Sequence, residues 1–171
     1  GHTREHIGSL NKKVFIDQLT SIRNRRGYEH YIRELQEQIN DQKEKVEFAI
    51  AVFDCDNLKR INDEYGHEKG DIYLKASTDL ICQVFSHSPV FRIGGDEFAV
   101  ILQNDDYAAM DELFSMFRKT EAGINEAAEN PWDEIGITFG LAVYDPAIDL
   151  TVVDVSRRAD HMMYENKRLR K

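Results

Sequence analysis

Cysteine, proline and tryptophan are scarce: the chain has two, three and one of them in 171 residues. Cys55 and Cys82 stand in apolar surroundings without metal-ligand spacing. That leaves no disulfide framework and no thiolate metal site, and points to free thiols in a reducing compartment. So few prolines, with ten aperiodic glycines, exclude a collagen-like or low-complexity chain. No stretch approaches the ~20 apolar residues of a membrane span, and no leader pattern is visible. Basic charge is short as well, with 22 lysines and arginines against 31 acids and a formal net charge of −9. A surface of that sign argues against non-specific contact with nucleic acid or an anionic membrane. It leaves a nucleotide ligand open, because a metal ion can neutralise phosphates locally. The expectation is a cytoplasmic domain, free or as the cytosolic part of a membrane-anchored parent.

At 42% hydrophobic, the chain can build one domain with a real core. Gly1 and His2 read as a tag remnant, and residues 1–16 as that remnant plus a connection to an upstream region; the domain proper is expected over 17–171. Residues 24–43 read as a helix, with Tyr28, Ile32, Leu35 and Ile39 at three- and four-residue steps. Val46–Phe53 is a near-continuous apolar run, as in a strand buried on both faces. One or two helical turns over 57–64 and a longer helix from Lys69 to Pro89 follow, then a hairpin around Gly94-Gly95. Tyr107, Met110, Leu113, Phe114 and Phe117 predict a further helix. Ile135 to Val143 alternates with period two, and a last helix starts near Val152. This order predicts an α+β fold: a mixed, largely antiparallel sheet flanked by helices, of ferredoxin-like type.

Chemistry gathers at two strand ends. Phe91-Arg92-Ile93-Gly94-Gly95-Asp96-Glu97-Phe98 puts two carboxylates on a diglycine corner, and Asp54-Cys55-Asp56 ends the upstream apolar run. Glycines lacking a Cβ let a ligand approach the backbone closely. If the strands are neighbours, Asp54 and Asp96 emerge together and repel unless a cation separates them. One or two carboxylates completed by substrate phosphates is how magnesium is commonly held. Either cluster alone is equally well a solvated acidic loop.

Gly94-Gly95-Asp96-Glu97-Phe98 is the signature of the GGDEF domains, the diguanylate cyclases, and the resemblance runs through most of the chain. Asp17-Gln18-Leu19-Thr20 with Asn24-Arg25-Arg26 resembles the family's N-terminal motif, with Ser21 where glycine is usual. The segment Phe53–Asp63 resembles its metal-and-nucleotide segment, and Gly66-His67-Glu68-Lys69-Gly70-Asp71 its G-H-x-x-G-D turn. Ala159-Asp160, Tyr164 and Lys167 resemble its C-terminal helix. The resemblance implies a sheet similar to the palm of nucleotide polymerases. It also implies condensation of two GTP to cyclic di-GMP with release of two pyrophosphates, across a homodimer set by an upstream sensory domain. Magnesium is the implied cofactor, with manganese as an alternative.

Residue by residue, the resemblance makes Asp54 and Asp96 side-chain metal ligands and the Cys55 carbonyl a backbone ligand. Glu97 becomes either a base near the reacting hydroxyl or a second-metal ligand. Asn62 and Asp71 match the guanine readers; a carboxylate accepts from N1–H and the exocyclic amine of guanine, a donor pair that adenine lacks. Lys59 and Lys167 match phosphate-binding positions, Lys171 stands near the place of a phosphate-binding arginine, and the N–H groups of Asn57 and Leu58 lie at a helix start. His67 is expected to order the Gly66 turn. Phe85-Ser86-His87-Ser88 replaces the R-x-x-D of an inhibitory product site, so product inhibition there is not expected. Three other readings remain: a silent GTP-binding regulatory domain, a cyclase of relaxed base choice, and a structural dimerisation domain.

Overall fold

The structure, a computed structural model, describes residues 14–41 and 45–170; residues 1–13 and Lys171 lie outside it. Helix α1 (Arg25–Asp41) buries Tyr28, Ile32, Leu35 and Ile39, the stripe that the sequence predicts. Its first turn is held by Asn24, whose side-chain oxygen accepts from the Gly27 N–H, an N-terminal cap. Strand β1 (Ala49–Cys55) is buried along its whole length. Helices α2 (Leu58–Tyr65) and α3 (His67–Val84) follow, then β2 (Val90–Arg92) and β3 (Glu97–Leu102). The helix predicted from Tyr107 is two: α4 (Asn104–Ala108) and α5 (Met110–Ala127), which meet at Ala109. A 3₁₀ turn at Pro131–Asp133, strand β4 (Ile137–Val143) and helix α6 (Val152–Leu169) complete the fold.

The strand order is β2-β3-β1-β4, and every ladder is antiparallel. The expected mixed sheet is therefore wholly antiparallel among its named strands, with a single parallel bridge, Arg23 to Phe91, outside them. The β-α-β-β-α-β order makes it ferredoxin-like. Strand β1 begins at Ala49 rather than Val46, because its partners end there, opposite Leu102 and Val143. It continues through Cys55, two residues past the predicted end, because Asp54 pairs with Glu97 and Thr138 and Cys55 with Ile137.

Alternation along β1 divides the core. Ala49, Ala51, Phe53 and Cys55 face α2, α3 and α5, where Phe85, Phe114, Phe117 and Tyr73 pack. Ile50 and Val52 face α1 and α6, against Val155, Ala159 and Met163. Asp54 lies on this second face by the two-residue period of a strand. Fully buried Phe85 packs against Phe53 and Phe114, and Ser88 donates to the buried Asp106 carboxylate. The two ends of the segment matched to R-x-x-D, Phe85 and Ser88, are thus engaged with the core, while Ser86 and His87 between them are exposed.

Both sheet borders are partly covered. On the β4 side, the Ile137 carbonyl accepts from Arg118 and Arg170, Phe139 from Asn166, and Val143 from Arg158. Just before the strand, Asn125 bonds both N–H and C=O of Ile135, which explains why the strand starts two residues later than the alternation predicts. On the β2 side, the Arg92 N–H donates to the Arg23 carbonyl. Side chains and the N-terminal segment thus take the places of missing strands.

Ser21 has φ +64°, the left-handed region that glycine occupies without steric cost. The serine is therefore a strained substitute at the position where the family's motif has glycine. Gly140 meets a different constraint: a Cβ there would overlap the backbone of α6 at Ala159 and Met163. Gly140→Ala is expected to push α6 off the sheet and cost about 3 kcal/mol, read as a lower urea midpoint at unchanged slope.

Candidate active site at the strand ends

The β1–β3 register puts Asp54 directly opposite Glu97, and cross-strand partners share a face. The turn between β2 and β3 brings in Asp96, whose carbonyl accepts from the Cys55 N–H at 2.9 Å. Four carboxylates, Asp54, Asp56, Asp96 and Glu97, thus converge at one end of the sheet. Asp54 is 8% exposed; its Oδ2 accepts from Lys167 Nζ at 2.6 Å, while its Oδ1 is buried without a hydrogen-bond partner among the described residues. The Asp96 charge adds to the cost of ionising Asp54. No three such side chains are gathered as a ready-made metal-ligating group among the described residues; a buried Asp54 oxygen without a partner there, at a sheet end shared with further carboxylates, is chemistry suited to a cation completed by other ligands.

Charge and burial act together on this cluster. Burial pushes the Asp54 carboxyl up to about 6, against the Lys167 hydrogen bond and with the Asp96 charge adding to the rise. Burial, followed by the charges of Asp160, Asp54 and Asp96, also holds Glu97 above the usual carboxylate value, with Arg25 opposing. For Lys167, burial works against the charge, but the Asp54 bond and the surrounding carboxylates outweigh it and keep the ammonium above its ordinary value. Asp56 accepts from the Thr138 hydroxyl at 2.8 Å and pairs with Arg170 at 3.3 Å. Arg170, three residues after Lys167, also donates to the Ile137 carbonyl and the Thr138 hydroxyl.

The diglycine turn is held from behind. Arg92 donates to the Gly95 carbonyl at 2.7 Å and reaches Asp17, which also accepts from the N–H and hydroxyl of Thr20. Arg25 donates to the Ile93 carbonyl. Neither Gly94 nor Gly95 has a positive φ, so the two-glycine hairpin of the sequence reading is instead a four-residue link closed by Glu97 accepting from Ile93 and Gly94. A Cβ at Gly95 would meet nothing within 4 Å, and one at Gly94 only the Glu97 side chain. Neither turn conformation nor packing among the described residues requires glycine at 95.

The remaining sequence-predicted residues fall on and around α2 and α3. The Cys55 side chain is turned into the opposite core, with its thiol pushed up to about 12 by burial, so only its carbonyl is available at the strand end. Asn57 precedes α2 and Leu58 is its first residue; both are half-buried. Asn62 lies against the first turn of α3, and a Cβ at Gly70 would overlap its side-chain oxygen, so the missing side chain at Gly70 gives Asn62 its room beside exposed Asp71. Lys59 is exposed on α2, without an ion pair among the described residues and apart from the carboxylates. His67 is exposed too and makes no side-chain hydrogen bond among the described residues; the α2–α3 corner is held by the Gly66 N–H donating to the Asn62 carbonyl instead. Lys171 lies outside the described residues. The sequence reading left Asp56, Thr138, Arg170 and the Asp17–Arg92 pair without roles. Arg170 was within reach, as it shares a helix face with Lys167, whereas Thr138 depends on a strand register that no short motif carries. A cavity of about 900 Å³, lined by Ile39, Tyr107, Tyr144 and Arg158, contains none of the predicted residues.

An antiparallel ferredoxin-like sheet with paired acids at its strand ends defines a palm-type fold with a candidate cation site. A sequence model of the family described as diguanylate cyclase, GGDEF domain, matches residues 14–171. The chain belongs to the GGDEF diguanylate cyclase family. It is 29% identical over 161 residues to diguanylate cyclase DgcS of Shewanella oneidensis, covering 92% of this chain and 51% of that protein. The chain spans about half the length of the curated relatives it matches. The fold matches the coiled coil and GGDEF domain of DgcB from Caulobacter crescentus, solved with c-di-GMP, at a TM-score of 0.80 and 22% identity over 98% of this chain and 87% of that one. A microbial GGDEF domain, solved in a novel interaction mode with bis-(3,5)-cyclic di-GMP, matches at 0.72 and 30% identity over 92% and 93% of the two chains. No helix among the described residues is long and apolar enough to cross a membrane.

Two outcomes are expected. A divalent ion requires Asp54 as carboxylate, so its proton competes with metal. Mn²⁺ affinity is expected to be flat above pH 7 and to fall about tenfold per pH unit below about 6, measured by electron paramagnetic resonance; an onset only near pH 4 would mean that burial does not raise the Asp54 carboxyl. Gly95→Ala is expected to leave the thermal midpoint within about 1 °C and to weaken GTP binding at least tenfold, by calorimetry.

Proposed function

We propose that the chain is the catalytic domain of a diguanylate cyclase: two copies, each holding one GTP, form cyclic di-GMP and release two pyrophosphates. The observation that carries the reading is the buried Asp54 oxygen that has no partner among the described residues, at the strand end it shares with Asp96, in a chain of this family. Asp54, Asp96 and the Cys55 carbonyl would hold Mg²⁺, with Mn²⁺ as a substitute, and Glu97 borders the same space. When bound, the metal neutralises phosphate charge and makes the attacking hydroxyl more acidic.

The chain's own residues orient the nucleotide. Asn62 and Asp71 accept from the guanine edge, and pairing both guanine donors leaves adenine with unsatisfied acceptors. The N–H groups at the start of α2, from Asn57 and Leu58, receive phosphate oxygens. Lys167 adds a cation there, and Lys171 a further one. Lys59, exposed on α2, contributes to phosphate binding only from the rim. In the reaction the 3′-oxygen of each GTP bonds to the α-phosphorus of the other, and the bond to pyrophosphate breaks. Glu97, whose raised proton affinity suits it to the task, takes the hydroxyl proton. Positioning and charge neutralisation supply most of the rate, as for phosphoryl transfer in general. An upstream sensory region, outside this chain, sets the encounter of the two copies.

The test is direct. The chain fused to a dimeric coiled coil, given GTP and Mg²⁺ or Mn²⁺, is expected to yield cyclic di-GMP and pyrophosphate. Glu97→Gln is expected to lower turnover at least a hundredfold with the fold retained. GTP bound without pyrophosphate release, at high protein concentration, identifies the silent regulatory reading instead. An equal mixture of ATP and GTP that gives adenine-containing product identifies relaxed base choice.

A further inference from the structure

Lys167 is the one cation in direct contact with Asp54 among the described residues, and its placement is fixed from both sides. Asn166 donates to the Phe139 carbonyl and Arg170 to the Ile137 carbonyl, so the last turns of α6 are bolted to β4. Between those bolts, the Lys167 side chain reaches Asp54 Oδ2 at 2.6 Å and stands 4.0 Å from Asp56 Oδ1. Other cations serve other acids: Arg170 pairs with Asp56, and Arg25 acts on Glu97 from α1. The ammonium thus satisfies one oxygen of Asp54 and leaves the second buried and without a partner among the described residues.

A divalent ion on that second oxygen puts two positive centres on one carboxylate. Like charges at such separation in a half-buried site repel strongly, so one of them must leave. A lysine is a point charge on a flexible four-carbon stem, and the Lys167 side chain is 33% exposed, so it has space to swing without moving α6. We propose that Lys167 is the resident counter-ion of the acidic cluster, holding Asp54 until metal and nucleotide arrive together and then transferring to phosphate. The proposal rests on the reading of this site as a metal–nucleotide site. Its consequence is a coupling: metal alone must displace the lysine without giving it a new anion, whereas metal with nucleotide supplies one. Binding of each therefore strengthens the other by the same factor.

The experiment uses the 171-residue chain, with Mn²⁺ and the uncleavable α,β-methylene analogue of GTP, followed by electron paramagnetic resonance. In the unmodified chain, the analogue is expected to tighten Mn²⁺ binding at least tenfold. Lys167→Met is expected to tighten Mn²⁺ alone at least fivefold and to weaken Mn²⁺ with analogue, so that the coupling factor falls towards one. Lys167→Arg keeps the charge and is expected to keep Mn²⁺ alone weak. A lysine that only binds phosphate would leave Mn²⁺ alone unchanged in Lys167→Met, and a merely structural one would weaken both; either result overturns the proposal. Failure of the unmodified chain to bind Mn²⁺ even with analogue overturns the site reading, and the proposal with it. Nitrogen-detected NMR of the lysine ammonium groups reads the same event without substitution: the Lys167 signal is expected to shift when Mg²⁺ and analogue are added together, and an unmoved signal overturns the transfer.

Discussion

The register of β1 between β3 and β4 is the constraint on which the site depends. Asp54 faces Glu97 on one side and Thr138 on the other, and its face is shared with Ile50 and Val52, under α1 and α6. A slip of one residue would send every side chain of the strand to the other face, placing Asp54 in the phenylalanine core and Cys55 at the cation site. Seven consecutive buried residues in β1 make such a slip very costly. The hydrophobic core therefore sets the position of the acids as well as the stability of the sheet.

The same placement creates a local conflict. Four carboxylates at one sheet end, with Asp54 almost wholly buried, are an arrangement a domain selected only for stability would avoid. Lys167, Arg170 and Arg25 relieve it in part, each from a different point on the rim. Local rules broken without compensation from the fold itself are where function is expected.

Much of this was legible in the sequence. Apolar periodicity located every long element, because burial of one face leaves its period in the residues. The motifs located the acids, and the register brings Asp54, Asp96 and Glu97 together as their spacing anticipates. What escaped was whatever depends on partners distant in sequence. The three shifted strand boundaries, both ends of β1 and the start of β4, follow from where neighbouring strands pair and end, and from Asn125 standing in for one. The break at Ala109 leaves no proline or glycine signal. The Gly-Gly pair reads as a turn requirement, yet its φ values are ordinary, because a glycine needed for space looks the same in a sequence as one needed for conformation. Thr138 and Asp17 take their places through contacts 82 and 75 positions apart in the chain.

The partly covered borders of the sheet have a consequence for how two copies can meet. With three β4 carbonyls bound by arginine and asparagine side chains and β2 joined by the Arg23 segment, another chain pairing edge to edge would meet backbone groups that are already partly occupied. Strand exchange between copies would first require pulling these caps away. An encounter through side chains at the strand ends needs no such removal, and can be made and broken without unfolding either molecule.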